Sequence, residues 1–134
     1  MNSFNEQIVQ EFRANGGVVG NMFAGMPMVL ITHKGAKTGT LRTTPLVNSI
    51  ENGDVIIVAS MGGAPTNPAW YGNMIANPVV TVEIGTETYE ADVVDLHGEE
   101  RDRVWTAHCS LAPQFKEYEA KTTRVIPVLR LVRR

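Results

Sequence analysis

The segment from Lys34 to Arg42, KGAKTGTLR, concentrates chemical groups that bind anions. It places Lys34, Lys37 and Arg42 around two glycines and two threonines. Glycines let main-chain N–H groups turn towards a ligand, and arginine presents a planar fork that matches a phosphate or carboxylate. The spacing is not that of a P-loop, because the pattern G-x-x-x-x-G-K-[ST] is absent. These residues fit an anion-binding turn and an ordinary solvated hairpin turn equally well.

The net charge of −2 conceals a separation of charges along the chain. No acidic residue lies between Glu11 and Glu51, and no lysine or arginine lies between Arg42 and Arg101. An acidic block follows, which contains Glu83, Glu87, Glu90, Asp92, Asp95, Glu99, Glu100 and Asp102. The cations of residues 34–42 therefore have no acidic neighbours in sequence, although distant acids could fold against them. A pI of about 5.9 without a basic, aromatic-rich face argues against nucleic acid as a partner.

A second candidate is the stretch ASMGGAPTNPAWYGN, residues 59–73. The pattern predicts a strand that ends at Ser60, a glycine-rich turn, and a helix that Asn67 caps ahead of a proline. A turn of this kind between a strand and a helix is a usual place for a cofactor to approach the main chain. Trp70 and Asn73 are three residues apart and share one helical face. The alternative is that Trp70 belongs to the core and the glycines only turn the chain.

The remaining reactive residue types form no recognisable site. His33, His97 and His108 lack the spacing of metal ligands, so no metal is predicted. No G-x-S-x-G nucleophile motif is present. Cys109 is the single cysteine, which excludes an internal disulfide and fits a reducing, cytosolic setting.

The elements that would position these residues are mostly strands. Apolar spacing predicts an amphipathic helix over residues 3–14, followed by a glycine-rich apolar loop. The helix and the loop make up an N-terminal segment, residues 1–25. The length predicts that the whole chain, 1–134, is a single domain. Strands are predicted at 28–33, 42–50, 55–60, 79–84, 88–96 and 124–134, with hairpin turns at Asn52-Gly53 and Gly85-Thr86. Helices are predicted at 68–76, 98–110 and 112–121. About six strands at hairpin spacing favour a small antiparallel barrel. The N-terminus lacks the pattern of a signal peptide, and no apolar run approaches the length of a membrane span.

Three motifs occur in order along the chain: G-x-x-[ST]-G-x-x-R-x-x-P from Gly35, S-x-G-G-x-x-x-N-P-x-W-Y from Ser60, and R-x-I-P from Arg124. Together they resemble the deazaflavin-dependent nitroreductase family, actinobacterial enzymes that use coenzyme F-420. The resemblance covers about residues 4–132. It implies a mainly β fold, the split β-barrel of FMN-binding oxidases, with about six antiparallel strands.

The resemblance also implies roles for individual residues. The coenzyme carries a phosphate and an oligoglutamate tail, which the basic turn would hold. The implied coenzyme-binding positions are Lys37, Thr38, Gly39, Arg42, Pro45, Ala59, Ser60, Met61, Gly62, Gly63, Trp70 and Asn73. Many relatives carry lysine where this chain has Met61, so one contact to the phosphate or tail is expected to be missing.

The implied reaction is hydride transfer from the reduced coenzyme to an electron-poor conjugated substrate: an enone, a quinone or a nitro compound. The implied substrate pocket contains Val47, Ala112, Phe115 and Tyr118, and Tyr118 is the candidate proton donor. Because it has fewer tyrosines than the nitroreductase, this pocket suits a quinone or enone better than a nitroimidazole. The alternatives are an FMN- or haem-binding split barrel and a coenzyme-binding protein without catalysis. The apolar N-terminal segment could contact a membrane surface.

Overall fold

The computed structural model of the chain describes residues 3–20 and 25–134. Its helices are α1 (Ser3–Ala14), α2 (Ala69–Ala76), α3 (Gly98–Leu111) and α4 (Gln114–Ala120). Its strands are β1 (Met28–Lys34), β2 (Leu41–Val47), β3 (Ser49–Glu51), β4 (Asp54–Val58), β5 (Val79–Ile84), β6 (Glu87–Leu96) and β7 (Val128–Arg133). A short turn, Met61–Gly63, lies between β4 and α2. The predicted loop over residues 16–27 falls partly outside the described residues.

All seven strands form one antiparallel sheet in the order β2-β1-β5-β6-β7-β4-β3. Two hairpin turns fall where the sequence predicts them. Asn52 and Gly53 join β3 to β4 with φ angles of 53° and 84°, values that a two-residue hairpin turn requires. Gly85 starts the β5–β6 turn with φ 58°. The sheet curls into the split β-barrel that the resemblance implied.

The interior of the curled sheet holds the main core. Alternate residues of β1, β4, β5, β6 and β7 point inwards, among them Val29 and Ile31 of β1 and Leu129 and Leu131 of β7. Met74 of α2 is fully buried against this cluster, so α2 closes one end of it. His33 follows Ile31 on the same face of β1, and the same alternation therefore carries its side chain towards α2.

The outer face of the sheet is covered by the other helices. Ile8, Val9 and Phe12 of α1 pack on Met28 and Leu30, which confirms most of the predicted amphipathic stripe. Phe4, which the spacing also placed on that stripe, is 48% exposed. Burial of a side chain such as Phe12 contributes about 1.5–3 kcal/mol. Helices α3 and α4 cover β4 and β7 in a further cluster that includes Trp105 and Phe115.

Three predictions of local structure are corrected. The predicted strand 42–50 is two strands, because the buried Asn48 leaves the ladder and donates its main-chain N–H to Pro27 O at 3.0 Å. This division gives seven strands among the described residues where about six were predicted. The last strand begins at Val128 and not at Arg124. Asn67 does not cap α2: Pro68 occupies the cap position, and the Asn67 side chain accepts a hydrogen bond from Arg124.

Candidate coenzyme site

A large cleft lies between the turn after β1 and the helix α2. Its volume is about 900 Å³. Its walls come from β1, the turn, β2, Met61 and one face of α2, with the lining residues Asn5, His33, Gly35, Ala36, Lys37, Thr38, Arg42, Thr43, Thr44, Met61, Ala69, Trp70, Gly72 and Asn73. Two of the sequence motifs therefore meet across one cleft.

The turn that carries the cations is closed by its own main chain. Gly35 N–H donates to Thr40 O at 2.8 Å, and Gly39 N–H donates to Gly35 O at 3.0 Å. Gly39 has φ 71°, and a Cβ on Gly35 would lie 2.6 Å from Thr38 Oγ1. Both glycines are therefore required by conformation or by space. This geometry holds Lys37 and Thr38 at the exposed tip.

The cations of the cleft have no acidic partners among residues 3–20 and 25–134. No carboxylate of the described chain lies within 4.0 Å of Lys37 or Arg42, whereas many acids of the acidic block are paired elsewhere. Glu83 pairs with Arg13, and Glu87 pairs with Arg133. The distant acids that could have neutralised the turn are thus directed to other arginines, and the cleft retains a positive wall.

A polar network forms the floor of the cleft and fixes its helix to its turn. Asn73 Oδ1 accepts the main-chain N–H of Ala36 at 3.0 Å, which orients the amide. Asn73 Nδ2 then faces His33 Nδ1 at 3.3 Å, so this ring nitrogen is the acceptor. The proton of the neutral ring lies on Nε2, which donates to Thr44 Oγ1 at 2.9 Å. Burial, together with the charge of Arg42, lowers the pKa of His33.

The turn Met61–Gly63 is left-handed throughout, with φ angles of 48°, 64° and 86°. For Met61 this conformation costs about 1–2 kcal/mol relative to a glycine. Gly63 is tightly packed, because a Cβ there would lie 2.7 Å from Tyr118 O and 2.8 Å from Lys121 Cβ. The turn therefore sits directly on α4, the helix that carries Phe115 and Tyr118.

The structure gathers only part of the predicted coenzyme set at the cleft. Lys37, Thr38, Arg42, Met61, Trp70 and Asn73 line it. Gly39 lies within the turn, Pro45 lies on β2, and Gly62 and Gly63 follow Met61. Ala59 and Ser60 are buried, and neither lines the cleft. Lys34 also lies elsewhere, because strand alternation carries it to a groove on the other face of β1.

The predicted substrate residues belong to one apolar cluster. Phe115 is buried, and Val47, Ala112 and Tyr118 pack against its cluster while remaining partly exposed. The rings of Phe115 and Tyr118 meet edge to face, with centroids 5.3 Å apart. Their neighbour His108 is 1% exposed, hydrogen-bonds Ser49 at 2.7 Å through Nδ1, and has its pKa lowered to about 4 by burial.

Two residues of the site region were missed as functional candidates. His33 looked like an isolated histidine, although its position two residues after Ile31 on an alternating strand signals an inward side chain. Arg124 was visible as the first residue of the R-x-I-P motif, but the sequence does not show what it contacts. In the structure it bonds the segment 60–67 that forms one side of the site.

Comparison with known proteins decides the family. A sequence model described as F420H(2)-dependent quinone reductase matches residues 5–132. The chain belongs to this family. An F420H(2)-dependent quinone reductase of Mycobacterium tuberculosis is 36% identical over 127 residues, which cover 92% of this chain and 85% of that protein.

Solved structures agree with this assignment. One described as an F420-H2 dependent reductase, FDR-A, is 42% identical with a TM-score of 0.73, covering 78% of this chain and 93% of that one. Another, described as a domain-swapped dimer, is 37% identical with a TM-score of 0.75, covering 96% and 95%. The matched family is named for the coenzyme that the motifs implied. The chain is an F420-dependent reductase, and its coenzyme is the deazaflavin F420.

The cleft fits this coenzyme. A deazaflavin with an anionic tail needs a flat apolar surface and a positive wall in one groove, and the cleft offers Trp70 on one side with Lys37 and Arg42 on the other. The two cations that no described carboxylate neutralises are the observation that matches the phosphate and glutamate charges.

Proposed function

We propose that this protein reduces a quinone with the reduced deazaflavin coenzyme, and that the Lys37–Arg42 turn is the handle for the coenzyme's phosphate and tail. The observation that carries the proposal is the pair of cleft cations without described acidic partners. Lys37, Thr38 and Arg42 bind the anionic end, while Trp70 lies against the ring system. Met61 offers no charge at a position where the resemblance implies a lysine, so these two cations would carry a larger share of the binding.

The bound coenzyme supplies a hydride when it is reduced. The chain's residues exclude water, orient the acceptor and supply the proton that, together with the hydride, converts a quinone to its hydroquinone. Val47 and Phe115 form the apolar surface for the acceptor ring. The Tyr118 hydroxyl is the proton donor or orienting group, because it is the polar tip of a half-buried ring beside that surface.

The test of the handle is a pair of double variants matched in charge. Replacing Lys37 and Arg42 with alanine should raise the Kd of the reduced coenzyme about thirtyfold at low salt, from about 1 kcal/mol for each exposed contact. The effect should shrink as salt is added. The matched control replaces Arg133 and Arg134, which lie at the end of β7 and pair with surface acids. An equal loss of affinity in both double variants would refute the handle.

The test of the acceptor is a panel assay. Purified protein with reduced coenzyme should oxidise it fastest with menadione, more slowly with cyclohexenone, and least with a nitroimidazole. Tyr118→Phe keeps the ring contact and should reduce kcat by about a hundredfold if the hydroxyl supplies the proton. Wild-type turnover in this variant would assign proton delivery to water. No oxidation with any acceptor, despite tight coenzyme binding, would favour a protein that binds the coenzyme without catalysis.

A flavin- or haem-binding role is the alternative to this coenzyme. The mass and visible spectrum of any ligand that co-purifies with the protein separate the alternatives. Bound FMN or haem with no measurable affinity for the deazaflavin would overturn the proposal.

The proposal extends to a peripheral contact with a membrane surface, where long-chain quinones reside. Val18 and Ile50 are 68% and 50% exposed, and they line one groove with Met26. No helix among the described residues is long and apolar enough to cross a membrane. We therefore expect the protein to co-sediment reversibly with phosphatidylglycerol vesicles. A Val18→Ser variant should remain in the supernatant.

A further inference from the structure

The Arg124 guanidinium is bonded to three acceptors of one loop. Its Nε donates to Ala64 O at 2.9 Å, its Nη2 donates to Ser60 O at 2.8 Å, and its Nη1 donates to Asn67 Oδ1 at 2.6 Å. The three acceptors span the segment 60–67, between the end of β4 and the start of α2. One side chain therefore fixes the beginning, the middle and the end of this segment.

The segment needs such a tether because its main chain is unfavourable locally. Met61 adopts a left-handed φ of 48°, a conformation that glycine tolerates and methionine does not favour. Ser60 O accepts both the N–H of Gly63, at 2.9 Å, and the Arg124 Nη2. The arginine thus adds a second, charge-assisted bond to the carbonyl that closes the left-handed turn.

The far end of the tether reaches the coenzyme cleft. Asn67 leads through Pro68 to Ala69 and Trp70, both of which line the cleft, as Met61 does. Arg124 itself is absent from the lining of the cleft, so it acts through the segment and not by direct contact with a ligand there.

The charge of Arg124 is not used in an ion pair within the described chain. No carboxylate of residues 3–20 or 25–134 lies within 4.0 Å of it, and its three acceptors are neutral. Lysine would keep the charge, but it cannot direct donors at three separate acceptors from one rigid plane. The arrangement therefore uses the shape of the guanidinium and not only its charge.

We propose that Arg124 is the positioning residue of the coenzyme site, which holds residues 60–67 in the conformation that brings Met61 and Trp70 to the cleft. This inference rests on the proposed function of the cleft. It extends the site beyond the residues that contact the coenzyme to the connection between α4 and β7.

The test measures coenzyme affinity and kinetics in Arg124→Lys and Arg124→Gln. Both variants should raise the Kd and the KM of the reduced coenzyme at least tenfold, with a smaller change in kcat, because the binding surface is displaced while the acceptor pocket is retained. The matched control is Arg130→Lys, which loosens another arginine bonded to a main-chain carbonyl, Glu51 O, outside the cleft and outside the α4–β7 connection. It should lower the melting temperature without changing coenzyme affinity.

A second variant separates positioning from a general loss of stability. Met61→Gly removes the backbone strain of the left-handed residue 61, which the bonds of Arg124 hold in place. The loss of affinity caused by Arg124→Gln should therefore be several-fold smaller in the Met61→Gly background. Wild-type affinity in Arg124→Lys, or an unchanged penalty in the Met61→Gly background, would overturn the inference. Absence of coenzyme binding by the wild-type protein would instead refute the proposed function itself.

Discussion

Replacing Asn73 with aspartate should change His33 from a neutral to a cationic side chain. The amide now donates to His33 Nδ1 at 3.3 Å and accepts from Ala36 N–H at 3.0 Å. A carboxylate keeps the second bond but cannot donate, so the ring nitrogen must carry a proton to keep the first. An opposite charge at this distance raises a histidine pKa by about 1–3 units, or about 1.4–4 kcal/mol. Screening is weak because His33 is 2% exposed.

The pH dependence that His33 gives to the free energy of unfolding should have opposite signs in the wild type and in Asn73→Asp. In the wild type the folded pKa of His33 lies below its unfolded value, so its contribution is fully present above pH 6.5 and is lost as the pH falls through the folded pKa. In the aspartate variant the carboxylate raises the folded pKa, and we expect it to exceed the unfolded value. Its contribution is then present below pH 6.5 and is lost as the pH rises through the new pKa.

The assay is ¹⁵N-detected NMR of the imidazole during a pH titration, combined with urea unfolding at several pH values. The wild-type ring should carry its proton on Nε2 and titrate below pH 6.5. The variant ring should titrate above pH 6.5, and the His33 contribution to the pH slope of unfolding should change sign. A wild-type proton on Nδ1, or an unchanged His33 titration in the variant, would show that the inferred amide orientation is wrong.

Two further predictions concern the helices beside the site. The pKa of His108 is lowered to about 4, so the wild type should lose about 3 kcal/mol of stability as the pH falls from 6.5 towards 4, and His108→Gln should flatten this dependence in urea unfolding. Gly63→Ala should destabilise the protein by about 2–4 kcal/mol, because it adds a clash with Tyr118 O to an unfavourable φ. Gly62→Ala has the same kind of φ but open space, and should cost only about 1–2 kcal/mol. Equal losses of melting temperature for the two glycine variants would contradict the packing argument.

Much of the fold could be predicted from local patterns. The stripe of Ile8, Val9 and Phe12 predicted α1 over its full length, and Asn52-Gly53 located a hairpin turn to the residue. The errors arose where tertiary bonds outweigh local preference. Asn67 is a residue type that often caps helices, but its side-chain oxygen accepts a hydrogen bond from Arg124, 57 residues away in sequence.

The candidate site was harder to predict than the fold. Motif order indicated Lys37, Trp70 and Asn73, and these do line one cleft. Sequence spacing could not show that the Asn73 amide hydrogen-bonds Ala36 and His33. Because of these bonds, Asn73 links the turn to the helix and is not a free ligand group. Nor could it show that Ser60 turns its carbonyl to Arg124.

The positive wall of the cleft depends on how the whole sheet is paired. The register of β6 against β7 brings Arg133 and Arg134 to the acids of β6 and its turn, where they bond Glu87 and approach Glu90. Arg133 and Arg134 are adjacent and side-chain direction alternates along a strand, so together they pair with acids on both faces of β6. Acids that are neutralised in this way oppose an anion in the cleft less than free carboxylates would. The charge of the Lys37–Arg42 turn is therefore kept available by pairing elsewhere in the sheet as well as by the turn itself.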